Sequence, residues 1–177
     1  LRARGVETVV GVTRSQSKLR LAEQLGATHV APPERAQELI ADLTDREGAD
    51  LLVESSGTLA GLRTVVELAR PAGTVLVFGT ISETSGDFPY YLLYYKELTL
   101  VSSRGALPRD YVAAIDHAAA GRVRLEPLLS QQFPLEDAAA ALTEVGKGGG
   151  VLKVIMHVGS PDSARQDRSM TGGEGGQ

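Results

Sequence analysis

The feature that most restricts how this chain can fold is an alternation of two hydrophobic periods. Short β-branched and aliphatic runs are each followed by about ten residues whose apolar positions recur at helical spacing. Val6–Val12 (VETVVGV) predicts a buried strand. Ser15–Leu25 then places Leu19, Leu21, Ala22 and Leu25 on one helical face, with Ser15 as N-cap and Gly26 as stop. Thr28–Ala31 reads as a brief strand, Glu34–Thr44 as a helix behind Pro32 and Pro33, and Asp50–Ser55 as a strand ended by Gly57. Leu59–Ala69 reads as a helix closed by Pro71 and Gly73. Thr74–Gly79 (TVLVFG) has no polar alternation, which implies burial on both faces. Strands alternating with helices of this length specify βαβ units: an α/β fold, doubly wound around a largely parallel sheet.

The later part is less regular. Ser82–Pro89 is a polar loop, and Tyr90–Lys96 holds four of the five Tyr. Leu98–Ser102 predicts a strand, Pro108–Ala120 a helix, Leu125–Phe133 an extended stretch, Leu135–Val145 an Ala-rich helix and Val151–Val158 a last strand. Beyond Gly159 almost nothing is apolar, so residues 159–177 are expected to be a disordered tail. The net charge of −4 over 177 residues gives no footprint for nucleic acid or a membrane surface. No apolar run approaches the roughly 20 residues of a membrane span, and no signal segment opens the chain, so the default location is the cytoplasm. The absence of Cys removes disulfides and thiolate zinc sites from this stretch. His29, His117 and His157 are scattered, and none is assigned to a metal.

In an open parallel sheet, ligands bind beyond the carboxyl ends of the strands. Three predicted strand ends carry small residues together with a donor: Thr13-Arg14-Ser15, Ser55-Ser56-Gly57 and Gly79-Thr80-Ile81. Small residues allow a ligand close to the backbone, although βα turns also need Gly and Ser for geometry alone.

These segments carry a family resemblance. GVTRSQSKLRLAEQLGAT (11–28) resembles the second strand and following helix of the medium-chain dehydrogenase/reductase family. GADLLVESSG resembles its fourth strand, RPAGTVLVFGTISE its fifth, YKELTLVSSRGA its sixth, and LEPLLSQQFPLEDAAAAL its C-terminal return. The order and spacing cover residues 1–158 and look closest to the zinc-dependent polyol, threonine and alcohol dehydrogenases. The resemblance implies a Rossmann-type cofactor domain over residues 1–104 and a helix and return to a catalytic domain over 105–158. It also implies what is missing. The glycine fingerprint G-x-G-x-x-G, the first strand and the domain with the zinc ligands would all precede Leu1, which is itself not a Met. In the strand order 3-2-1-4-5-6 the missing strand is the central one. The chain therefore reads as the cofactor-binding piece of an NAD(P)-linked oxidoreductase that moves hydride to or from an alcohol, polyol or amino-alcohol. Zinc would come only from the missing domain, and no residue here is assigned a catalytic role. Two other readings stay open: a zinc-free quinone or enoyl reductase of the same superfamily, and a non-catalytic truncated remnant.

The resemblance also assigns cofactor contacts. Thr13 stands where an acid would accept bonds from the ribose hydroxyls of NAD, with Arg14, Ser15 and Lys18 behind it. A neutral Thr does not repel a 2′-phosphate and Arg14 can bind one, so NADP is favoured, with NAD possible. Ser55, Ser56 and Gly57 would flank the adenosine side, and Phe78, Gly79 and Thr80 the nicotinamide carboxamide. Arg104 matches an arginine near the cleft of polyol dehydrogenases, or else forms a salt bridge at a domain boundary. Lys153 reads as a solvated charge. Finally, the apolar strand Leu98–Ser102 and the aromatic run before it predict a homodimer or dimer of dimers through residues 85–102.

Overall fold

The computed structural model describes residues 1–147 and 151–159, and the expected tail from residue 160 onward lies outside them. The chain divides into two compact units, Leu1–Ile115 and Asp116–Gln177. In the first, strands β1 (Val10–Val12), β2 (His29–Ala31), β3 (Ala49–Glu54), β4 (Ala69–Val77) and β5 (Thr99–Ser102) alternate with helices α1 (Gln16–Gln24), α2 (Pro33–Leu43), α3 (Leu59–Leu68) and α4 (Tyr90–Tyr95). Every strand pairing is parallel. The strands form two sheets, β1-β2 and β3-β4-β5, and neither β1 nor β3 has a second partner among the described residues. These parallel pairings are the α/β pattern that the sequence predicts. Along β3, Leu52 and Glu54 are buried while Leu51 and Val53 are exposed, so one face of the three-stranded sheet lies open.

Local chemistry sets the helix ends. Ser15 caps α1 by accepting the Lys18 amide N–H, and Gly26 leaves the helix in a left-handed conformation at φ +108°. Pro33 opens α2, where its missing N–H costs nothing. Thr58 caps α3 through the Gly61 amide at 3.0 Å. The buried stripe of α2 (Ala36, Ile40) joins Leu68, Leu52, Ala69 and Val75 in one core, so α2 ties the first βα half to the three-stranded sheet. Val66 and Val75 are wholly buried, and burying each side chain contributes roughly 1.5–3 kcal/mol.

Several elements differ from the sequence expectation or lie where it named none. β1 starts at Val10, because at Val9 the regular ladder gives way to Thr28: its hydroxyl accepts the Val9 N–H and donates to the Val9 carbonyl, which also takes the Thr28 and His29 amides, while Arg2 binds the carbonyls of Val6 and Glu7. α3 ends at Leu68 and β4 begins at once, so Pro71 and Gly73 do not close a helix. They form an excursion inside β4, with Ala72 at φ +57° and a register break opposite Ala49 and Leu51. Tyr90–Tyr95 is a short helix, α4. Behind it, Lys96 donates to the carbonyls of Glu67 (2.8 Å) and Ala69 (2.7 Å), covering the C-terminal end of α3. Burial pulls the Lys96 ammonium below its usual pKa, and Glu67 opposes that shift. The stretch after Leu125 opens with a 3-10 turn, Glu126–Leu128, before extending.

Helix α5 (Pro108–Ala119) spans the division between the units and exposes Tyr111, Val112 and Ile115. The second unit pairs β6 (Leu129–Pro134) with β7 (Lys153–His157) in parallel, with α6 (Ala138–Lys147) burying Ala141.

Candidate functional site

The carboxyl ends of β3 and β4 meet around one buried carboxylate. Glu54, the last residue of β3, is 2% exposed and is the one buried charged side chain among the described residues. Its Oε1 accepts the Ser56 amide at 2.7 Å, the Ser56 hydroxyl at 2.5 Å and the Gly57 amide at 3.1 Å. Its Oε2 accepts the Gly57 amide at 3.3 Å. Its backbone carbonyl accepts the N–H groups of Phe78 (2.9 Å) and Gly79 (2.8 Å), where β4 ends. Because the Ser56 hydroxyl gives its proton to Glu54, Thr58, 3.0 Å away, must be the donor to Ser56. Thr58 in turn accepts the Gly61 N–H, so an ordered relay runs from the first turn of α3 to the carboxylate.

Glycines make the room for this contact. Gly57 sits at φ +70°, and a Cβ there would fall 3.0 Å from the Thr80 carbonyl. A Cβ on Gly79 would lie 2.6 Å from Glu54 Oε2 and closer still to the Gly57 amide, and one on Gly61 would lie 2.8 Å from Oε1. Thus Ser56, Gly57, Gly79 and Thr80 are brought together, while Ser55 and Phe78 stand exposed on either side. Sequence reasoning passed over Glu54, although the pattern of a carboxylate followed by Ser-Ser-Gly, in position to accept the next amides, was its signal.

The β1 turn is built separately. Thr13 donates its N–H to Ala31 at 3.3 Å, and its hydroxyl accepts the Ser15 N–H at 3.3 Å. Arg14 and Lys18 are exposed, and neither side chain has a partner among the described residues. The hydrogen bonds of this turn reach only β2 and the first turn of α1, and β1 belongs to a different sheet from β3. Arg104, after β5, is also exposed and without an ion-pair partner among the described residues.

Among the described residues no three of His, Cys, Asp and Glu are grouped so as to hold a metal. The histidines have other neighbours: His29 meets Thr28, His117 accepts from Arg122 and His157 meets Gln132. No helix of the described residues is long and apolar enough to cross a membrane.

Comparison with known proteins agrees with this architecture. The chain is 24% identical over 154 residues to a sorbitol dehydrogenase of Halalkalibacterium halodurans, covering 86% of this chain and 45% of that one. It is 29% identical over 163 residues to D-xylulose reductase A of Aspergillus oryzae, covering 89% and 45%. A solved alcohol dehydrogenase from Thermotoga maritima superposes with a TM-score of 0.78 at 27% identity, over 89% of this chain and 45% of that one. The chain thus spans about half the length of the curated relatives it matches. The sequence model for zinc-binding dehydrogenases matches residues 1–120, so with its parallel strand order and glycine-lined strand ends the chain belongs to the zinc-binding dehydrogenase family.

Proposed function

We propose that this chain is the cofactor-binding part of a larger zinc-dependent dehydrogenase, one that transfers hydride between a nicotinamide cofactor and an alcohol, polyol or amino-alcohol. The observation that carries the reading is the meeting of the β3 and β4 strand ends in glycine-lined turns that exclude a Cβ, in a member of this family. When bound, the nicotinamide supplies the carbon that gives or takes hydride. The chain's own residues bind and orient it. Thr13, Arg14, Ser15 and Lys18 would hold the adenosine end together with Ser55, Ser56 and Gly57. The backbone of Phe78, Gly79 and Thr80 would meet the carboxamide, with Arg104 near the cleft. The described residues offer no donor set that fits zinc. In this reading residues 1–104 form the cofactor-binding part and 105–158 the return toward a catalytic domain, with small-molecule substrates and a cytoplasmic location.

NADP is the favoured cofactor. Thr13 is neutral, and the unpaired Arg14 is free to make a charge-assisted bond to a 2′-phosphate. In the complete protein NADP should bind about tenfold more tightly than NAD, on the order of one such bond. Arg14→Ala should remove that difference without weakening NAD. Tighter binding of NAD than of NADP by the unmutated protein sinks the assignment.

Self-association through residues 85–102 is the second part of the reading. All four residues of β5 are exposed, and the strand is a sheet edge among the described residues. On α4, Tyr90, Tyr91, Tyr94 and Tyr95 face outward, with Tyr91 and Tyr95 stacked at 5.6 Å. An open ladder edge beside amphipathic rings suits an isologous contact with a second copy. Leu100→Pro with Tyr94→Lys should yield monomers by sedimentation. Since Tyr94 is 81% exposed, its replacement costs the fold little. An unchanged oligomer would place the interface elsewhere.

A further inference from the structure

We propose that Glu54 is a positioning residue of the cofactor site: its carboxylate fills the β3 turn as an internal anion and fixes the separation between the β3 and β4 turns. The inference rests on the nucleotide-binding reading above.

Amide N–H groups in a strand-end turn are, in principle, donors for a ligand phosphate. Here Ser56 and Gly57 spend theirs on Glu54, and the Ser56 hydroxyl is spent there as well. The turn therefore presents no free donor from these groups, and a buried negative charge lies behind it. A phosphate would be repelled, whereas a neutral ribose or carboxamide would not. The ligand surface suited to this turn is thus an uncharged portion of a dinucleotide, and its phosphates must lie elsewhere.

The same carboxylate acts as a spacer. Gly79 approaches Glu54 Oε2 and the Gly57 amide so closely that even a methyl group does not fit, and the Glu54 carbonyl holds the first two amides after β4. Moving either turn breaks bonds to Glu54. The relay through Ser56 and Thr58 to the first turn of α3 extends this hold to the helix. A ligand touching both turns depends on their spacing. A ligand that reaches the β1 and β3 turns but not the β4 turn, as AMP does in that reading, depends on it far less.

The test compares 5′-AMP with NAD and NADP in the complete protein by calorimetric titration. In Glu54→Gln an amide N–H faces the Gly57 N–H in place of an acceptor. Dinucleotide Kd should rise at least tenfold, while AMP stays within twofold. If Glu54→Gln does not fold, Gly61→Ala, at a position outside the cofactor contacts, puts a Cβ against the Ser56 hydroxyl and 2.8 Å from Glu54 Oε1, disturbs the seat of the carboxylate, and should give the same split. Equal weakening of AMP and dinucleotide would make Glu54 a support of the fold only, and no weakening of either would give it no part in binding; both results overturn the proposal. If the unmutated protein binds neither ligand, the nucleotide reading fails and the proposal with it. That outcome is separable because it appears before any substitution is made.

Discussion

The 177-residue chain expressed alone is expected to self-associate and to show no alcohol-dependent reduction of NAD or NADP, with or without added zinc. Two causes act together. β1 and β3 each have one unpaired edge among the described residues, and an unpaired parallel ladder is a template for another chain. Each ladder group left buried without a partner costs about 1–3 kcal/mol. Leu51, Val53 and Val101 add apolar area on the open face of the same sheet. The described residues also supply no metal-binding cluster and no assigned proton-transfer group. Static light scattering and a coupled absorbance assay test both parts. A monodisperse monomer with zinc-dependent turnover would refute the reading of this chain as one portion of an enzyme.

The second large effect is on stability and falls far from the strand-end turns. Gly48→Ala in the complete protein should cost roughly 3 kcal/mol or more, combining about 1–2 for a left-handed side chain with about 1–3 for overpacking. Gly48 sits at φ +100° between α2 and β3. A Cβ there would lie 2.7 Å from the Arg70 amide nitrogen, 2.8 Å from the Leu68 carbonyl oxygen and 2.9 Å from the Ala69 carbonyl carbon. These are backbone atoms at the α3–β4 junction and cannot swing aside as a side-chain tip can. Gly105 is the control: it has φ +70° but nothing within 4 Å, so Gly105→Ala should lose only the conformational part. Urea midpoints of the two variants decide the matter, and equal losses would mean that the junction yields.

Much of this fold was legible because its punctuation is chemical. Ser15, Gly26 and Pro33 each act through one local hydrogen bond or one dihedral, and such effects can be read from neighbouring residues alone. What could not be read depends on residues distant in sequence. The loss of Val6–Val9 from β1 required Thr28, nineteen residues beyond Val9, to occupy the ladder. The helix at Tyr90–Tyr95 was masked by its own composition. Leu92 and Leu93 are half-buried while four Tyr are exposed, the reverse of the usual polar outer face. Glu54 was missed for the same kind of reason. An acid ending LLVE reads as a solvated strand end until the glycines of α3 and the β4 turn are seen to leave space for it. The grouping of Ser56, Gly57, Gly79 and Thr80 was foreseen as separate strand ends. Their contact came only with the register of β3 on β4.

The placement of the core has a consequence for how the molecule breathes. The buried cluster runs through α2, α3, β3 and β4, whereas β1 and β2 are three-residue strands that contribute Ala31 as their one buried residue. The amide of Val75, on the strand that is paired on both sides, should therefore exchange with solvent only when the whole unit opens, and those of Val10–Val12 through smaller local openings. The Glu54 turn stands on the slow-exchanging part and the Thr13–Lys18 turn on the fast one. A ligand grasped by both would find one jaw rigid and the other yielding. Ordering of the yielding jaw would then appear as exchange protection concentrated in β1 and the first turn of α1.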